Sequence, residues 1–338
     1  MASLDIGIDL GTSSIVAGSR KKGVLINEPS VVALDRRTGK VLFIGRKVYE
    51  MMGREPRNIE IVSPLEQGVI SNYRLTGELV RYLLRQVGRH HMLKPRVIAC
   101  VPSGVTGVEA QSVIDATMDA GARSVILMEE PLAAAIGAGL NIAKAVGNLV
   151  VDIGGGTTDV AVLSMNGIVS KSSVRIAGGA FDEAILRHLR LDHNMLVGPR
   201  TAEDIKKELG NVWRSAPEKE MEIKGRGIVT GLPTKINLLR SELYVPLLEV
   251  AQQIASCVQQ ALERVPPELA GDIRTNGLLL TGGGAMIGGL DSYLEEVLRV
   301  PARLADDPTQ CVAKGTIMAF DYIGTDFDGF ILPGTALH

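Results

Sequence analysis

The chain has 338 residues, 46% of them hydrophobic and 22% charged, enough for about two domains of roughly 150 residues with ordinary cores, which excludes wholesale disorder. Its 36 basic and 38 acidic residues leave a net charge of −2, so overall charge gives no support to a nucleic-acid partner. Cys100, Cys257 and Cys311 are scattered and odd in number, which suits buried thiols in a reducing cytoplasm; no basic-then-apolar leader opens the chain, and no apolar run nears the roughly 18 residues of a spanning helix.

In chain order, alternation and β-branched residues predict strands at Asp5–Leu10, Ser14–Gly18 and Gly23–Asn27, then a pair across Val31–Ile44 turning at Arg36–Lys40. Leu79, Val80, Leu83, Leu84 and Val87 have helical spacing within 75–89, and 95–102 is a buried strand bounded by prolines. Thr106 with Glu109 predicts a capped helix that stops at Gly121. Strand Ser124–Met128 then delivers Glu129-Glu130-Pro131 to a small-residue helix over 132–139. The second half repeats the plan: a meander over Leu149–Ile176, a helix from about Phe181 to His193, and a Thr201-capped helix to Leu209. A polar stretch at Trp213–Gly227 reads as a surface hairpin, and a long helix through Leu247, Ile254 and Val258 is closed by Pro266-Pro267. A strand runs into Gly282-Gly283-Gly284-Ala285, and Val312–Tyr322 closes as a helix. Strand–helix alternation after each meander predicts a parallel layer on a mixed sheet, and the two halves share a hinge of crossing helices.

Asp5–Ser14 returns in altered form as Leu149–Asp159. In each copy an apolar strand delivers an acid, Asp9 or Asp152, and then a turn of Gly, Thr and Ser whose N–H groups and hydroxyls could wrap a phosphate. Two facing hairpins would clamp one polyphosphate, with both acids holding a hydrated magnesium ion. Gly282–Ala285 would bring bare backbone against a nucleoside. Glu130 either aims into that clamp, to orient or deprotonate the water that attacks the γ-phosphate beside Thr157 and Thr158, or is a solvated acid favoured by a helix dipole. Glu129 is expected to face outward. Glu203 and Lys207, four apart, are either a surface ion pair or a border to the base and ribose. Met92-Leu93, flanked by Arg89, His90, His91, Lys94 and Arg96, either caps its domain or inserts shallowly into an anionic membrane surface.

Together these motifs, with Asn27–Ala33, Val101–Thr106 and Arg200–Lys206, closely resemble the MreB/Mbl family of bacterial actin homologues, within the actin, heat-shock-chaperone and sugar-kinase superfamily, over nearly the whole chain. The resemblance implies an α/β, actin-like two-domain ATPase fold, each domain a mixed five-stranded sheet flanked by helices with a smaller subdomain inserted. Domain I would comprise 1–145 plus 315–338, with its small subdomain at about 32–66; domain II would comprise 146–314, with its own at about 181–243. It implies an ATP- and magnesium-dependent cytoskeletal ATPase forming paired protofilaments at the inner face of the cell membrane, where it organises cell-wall synthesis and rod shape with elongation proteins. Carried over by position, Thr12, Ser13, Ser14, Ile15, Gly155, Gly156 and Thr157 would line the phosphates, and Asp9 and Asp152 the metal. Glu203, Asp204, Ile205, Lys206, Lys207, Gly282, Gly283, Gly284 and Ala285 would line the nucleoside; Glu130 would be the hydrolytic acid with Thr158 its companion, and Met92 and Leu93 the membrane loop. Three departures stand out: Thr12-Ser13-Ser14-Ile15 for the family's Thr-Ala-Asn-Thr, Asp159 for its Glu, and a chaperone-like Gly178-Gly179-Ala180-Phe181-Asp182. A non-hydrolysing scaffold, a chaperone ATPase or a small-molecule kinase on the same clamp are the alternatives.

Overall fold

A computed structural model describes residues 4–88, 93–325, 327 and 329–331. Two twisted sheets are built on the same plan. In the first, Asp5–Leu10 pairs antiparallel with Ser14–Ser19 and parallel with Arg96–Val101; Gly23–Pro29 extends one side and Ser124–Glu129 the other. In the second, Asn148–Ile153 pairs antiparallel with Thr158–Ser164 and parallel with Leu278–Thr281, flanked by Gly167–Val174 and Ala302–Leu304. The first sheet gains a sixth, two-residue edge strand, Phe330–Ile331, antiparallel to Ser124–Glu129. That edge is anchored by Phe327, whose ring centroid lies 4.7 Å from that of Tyr322 and 4.9 Å from that of Phe330.

Strand periodicity divides the core. Val97 and Ala99 face the helices Tyr73–Val87 and Gly107–Asp119, whereas Ile98 and Cys100 face the opposite layer, between the two sheets. That middle layer is filled by the helices Glu130–Gly137 and Cys311–Met318 together with Val150, Ala161 and Leu279 of the second sheet. On the outer face of the second sheet, Val151, Ile153, Val160 and Val162 pack with Phe181, Ile185, Leu247, Ile254 and Val258. Small three-stranded sheets, at Val32–Asp35, Val41–Ile44 and Ile59–Val62 in one half and at Met195–Leu196, Glu220–Gly227 and Pro233–Leu239 in the other, stand beside the main ones.

The Thr106–Glu109 capping box is present, and Asn72 caps the preceding helix through the Leu75 N–H. Several expectations need correction. The Thr201 cap is absent: Pro199 starts that helix after Gly198, and proline suits a position whose N–H would have no helical partner. The hairpin assigned to 213–227 instead pairs Glu220–Gly227 with Pro233–Leu239 and turns at 228–232, because Ile223 opposite Ile236 fixes the register. The long helix begins at Arg240 and passes through Pro246, and Pro267 opens a further helix, Pro267–Asn276, besides ending the previous one.

The expected crossing of helices is set by two glycines. A methyl group on Gly137 would fall 1.8 Å from the Cys311 carbonyl oxygen, and one on Gly315 would fall 1.8 Å from that of Ala133. Backbone therefore touches backbone, and neither helix can shift without the other. Gly315→Ala is expected to destabilise the chain by about 3 kcal/mol through overpacking. Urea denaturation checks this, and an unchanged midpoint would show that the crossing yields easily.

Candidate functional site

The two repeated turns meet. Leu10 pairs with Ile15 and Ile153 with Thr158, leaving 11–14 and 154–157 as turns at corresponding strand ends. A methyl on Gly155 would lie 2.0 Å from Ser13 Oγ, and one on Gly156 would lie 2.5 Å from Thr12 Oγ1. Glycine is thus required in the second turn by the arrival of the first. The Thr12 hydroxyl accepts the Gly68 N–H at 2.9 Å, which fixes the first turn from a third side. Ser13 is exposed and Ser14 half-buried, whereas Ile15 packs fully into the first-half core; its side chain cannot line a phosphate, and only its backbone is available.

Two more glycine segments complete the wall. Gly282 has φ +83°, and a methyl there would meet the Ile153 carbonyl oxygen at 2.2 Å; one on Gly284 would meet Ile153 Cγ2 at 2.7 Å. The Gly178 N–H donates to the Gly154 carbonyl at 3.0 Å and the Gly179 N–H to that of Gly155 at 2.8 Å. Sequence reading treated Gly178-Gly179 only as a departure from the family pattern. Their place at the start of the helix Gly178–Asp192, where N–H groups seek acceptors, was the signal that could have added them.

Glu130, Asp152 and Asp159 are buried in this region and Asp9 is half-buried beside them. Thr281 donates its hydroxyl to Asp152 Oδ1 at 2.6 Å, and the Ser103 N–H donates to Asp159 Oδ1 at 2.6 Å. The Asp9 and Glu130 carboxylates have no hydrogen bond or ion pair among the described residues. Burial, and then repulsion from Asp152, pushes Asp9 up to about 7. Burial raises Asp152 to about 7 against the Thr281 hydrogen bond, and Asp159 to about 6 against those from Ser103, Ser173 and Thr157. Glu130 lies well above the usual carboxylate range, first through burial and then through the charges of Asp159, Asp9 and Asp152. A hard divalent cation fits this donor set, since oxygen ligands in excess of local positive charge are what magnesium takes.

Glu129 does not face outward. It is buried and pairs with Lys171 at 2.8 Å, because the end of its strand abuts Gly167–Val174 of the other sheet. Thr158 is fully buried and donates its hydroxyl to the Ile176 carbonyl at 2.7 Å, so any ligand contact it makes uses its oxygen lone pairs alone.

On the far side of the cleft, Lys207 pairs with Glu203 at 2.6 Å, the (i, i+4) pair expected from spacing. Tyr49, from the other half of the chain, donates its hydroxyl to the same Glu203, and Arg200 donates to the Glu50 carbonyl at 3.1 Å. Burial and then the Glu203 contact raise the Tyr49 phenol; burial works against ionised Glu203, yet Lys207 and Tyr49 hold it below the usual range. Ile205 belongs to the second-half core and Asp204 is exposed, so of this run only Glu203 and the two lysines present polar side chains beside the cleft. Lys206 bonds the Gly178 carbonyl at 3.0 Å and Asp182 at 2.7 Å, tying its helix to the glycine wall. Ala285 packs into the same core. Leu93 is 47% exposed, and Met92 lies outside the described residues. Tyr49, Arg200, Gly68, Ser103 and Asp182 were missed because each acts through a partner distant in sequence.

Residues 3–326 match the family model described as MreB/Mbl protein. The chain is 45% identical over 317 residues to the cell shape-determining protein Mbl of Bacillus cereus, covering 94% of this chain and 95% of that one. It superposes on MreB5 of Spiroplasma citri bound to AMPPNP with a TM-score of 0.90 at 37% identity, covering 96% and 97% of the two chains. The MamK double helical filament subunit shares the fold at 19% identity, with a TM-score of 0.78 over 95% of this chain and 99% of that one.

Asp9 and Asp152 ionise near 7 in the folded chain against 3.8 ordinarily, so between these values the folded state binds more protons than the unfolded one. Their contribution to stability is fully present below 3.8 and is lost as pH rises through about 7. In EDTA without nucleotide, the melting temperature should fall between about pH 5 and pH 8, and less steeply in Asp9→Asn. An equal slope in that variant would remove Asp9 as a source of the fall.

Proposed function

This chain belongs to the MreB/Mbl family, and on that premise we propose that it is an ATP-binding and ATP-hydrolysing bacterial actin-like cytoskeletal protein. The observation that carries this reading is the set of buried acids, Glu130 among them, gathered beside two glycine turns that touch each other across the two halves. The AMPPNP-bound Spiroplasma relative supports a nucleoside triphosphate as the ligand.

Thr12, Ser13, Ser14, Gly155, Gly156 and Thr157 bind the phosphates through hydroxyls and backbone N–H groups. Asp9 and Asp152 would hold a hydrated magnesium ion, which supplies positive charge at the phosphate oxygens. Gly282–Ala285 leave room for the nucleoside, with Glu203 and Lys207 at its edge. Glu130 accepts a proton from the attacking water or orients it, and its raised affinity for protons is what a general base requires once the carboxylate is ionised.

Membership of this family supports paired filaments that organise cell-wall synthesis and rod shape, and the MamK filament shows that the fold polymerises in another protein. No helix among the described residues is long and apolar enough to cross a membrane, so the reading is peripheral attachment at the cytoplasmic face through Met92 and the exposed Leu93.

Glu130→Ala should lower phosphate release about a hundredfold or more while nucleotide still binds. Unchanged turnover would take Glu130 out of the reaction and leave a nucleotide-binding scaffold. Replacing Met92 and Leu93 together by Ser should free the protein from anionic liposomes in sedimentation without weakening nucleotide binding; continued co-sedimentation would move the membrane contact elsewhere.

A further inference from the structure

A group of side chains outside the nucleotide cleft has no part in the chemistry above. His188 lies near the end of the helix Gly178–Asp192, His193 immediately follows that helix, and Glu242 stands in the first turn of Arg240–Leu262. One ligand atom from each lies within 4.8 Å of the other two. We propose that His188, His193 and Glu242 form a binding site for a divalent transition-metal ion of the zinc class.

The orientation of each side chain supports this. His188 Nδ1 lies 2.8 Å from Asp192 Oδ2, which occupies that nitrogen with a carboxylate and leaves Nε2 as the one open to a further partner. The His188 side chain is only 10% exposed, and its Nε2 is buried with no hydrogen-bond partner. An unpaired buried nitrogen of this kind is destabilising unless something binds it. His193 Nε2 lies 3.0 Å from Glu242 Oε2, yet is buried without a hydrogen bond, so the two atoms stand close enough to share one ion. Glu242 is held in place because its other oxygen accepts the Leu239 N–H at 2.7 Å.

The spacing suits a tetrahedral ion. Metal bonds of about 2.0–2.1 Å place neighbouring ligand atoms about 3.3 Å apart and the centroids of two Nε2-bound imidazoles about 5 Å apart. The two rings here have centroids 5.3 Å apart and cross at 77°. Two imidazoles and one carboxylate favour zinc, cobalt or nickel over magnesium, and the fourth position falls to water. The carboxylate of Asp192, 2.8 Å from His188 Nδ1, stands where metal-bound histidines usually have their outer-shell partner. Such an ion would link the end of the helix that starts at the Gly178 wall to the start of the long helix beneath it.

The test uses the full chain without an affinity tag, stripped of metal and titrated with Co2+ in magnesium-free buffer. A visible absorption band of four-coordinate cobalt should saturate at one equivalent per chain and be displaced by Zn2+. His188→Gln and His193→Gln should each abolish the band, with nucleotide binding retained as evidence of folding. Asp192→Asn changes a side chain 63% exposed, so it leaves the fold intact, and it should weaken Co2+ about ten- to a hundredfold. No band in the parent chain, or Co2+ affinity unchanged in Asp192→Asn, would overturn the proposal. A band that survives both histidine substitutions would do the same, by assigning the metal to His90, His91 or His338.

Discussion

Negative charge withdrawn from water is the constraint around which the molecule is arranged. Asp9, Glu130, Asp152 and Asp159 are held together at the junction of the two halves, and the nearby Lys171 is committed to Glu129. Moving Asp9 from 3.8 to about 7 corresponds to about 4 kcal/mol against its ionised form, from one residue alone. A scaffold that tolerates this must be stiff, since a yielding one would let water in and relax the acids. The Gly137–Cys311 and Gly315–Ala133 approaches provide the stiffness, because backbone in van der Waals contact has no side chains left to repack.

Beyond that crossing, the halves touch mainly through polar groups. Ser103 reaches Asp159, Glu129 reaches Lys171, Tyr49 reaches Glu203 and Arg200 reaches the Glu50 carbonyl. Polar contacts at a cleft exchange for water at small net cost, about 1 kcal/mol each, whereas an apolar interface would not. Rigid packing at the pivot with exchangeable contacts at the cleft is what hinge closure around a ligand needs. Glu203 has a double place here, as partner of Lys207 within its own helix and of Tyr49 across the gap. A ligand that takes up its carboxylate therefore competes with closure of the empty protein.

Much of this was legible in the sequence where the cause is local. Strand alternation placed both meanders, the Thr106–Glu109 box appeared as spaced, and the Asp-tipped repeat located both turns. What failed was non-local, the Thr201 cap apart. Glu129 read as outward because nothing near it in sequence announces Lys171, and Thr201 read as a cap because hydroxyl preference at helix starts was weighed above Pro199 two residues earlier. Ile15 and Ile205 sit inside segments expected to line the nucleotide, yet strand and helix geometry turn their side chains into the cores. The missed site residues are those whose meaning depends on a partner 24 to 154 positions away, such as Asp182 with Lys206 and Tyr49 with Glu203.

The repeat is also unequal, and the inequality bears on chemistry. In the first hairpin Asp9 stands opposite Val16; in the second, Asp152 stands opposite Asp159. The second copy thus carries an extra acid on the neighbouring strand. After burial, the charge of Asp159 does most to raise Glu130, ahead of Asp9 and Asp152, although Asp159 itself is steadied by the Ser103 N–H from the other half. If the halves separated, Ser103 would withdraw, Asp159 would lose a hydrogen bond that favours its ionised form, and its repulsion of Glu130 would weaken. The proton affinity of Glu130 therefore depends on how closely the halves approach, which links the contact between the halves to the charge state of that buried acid.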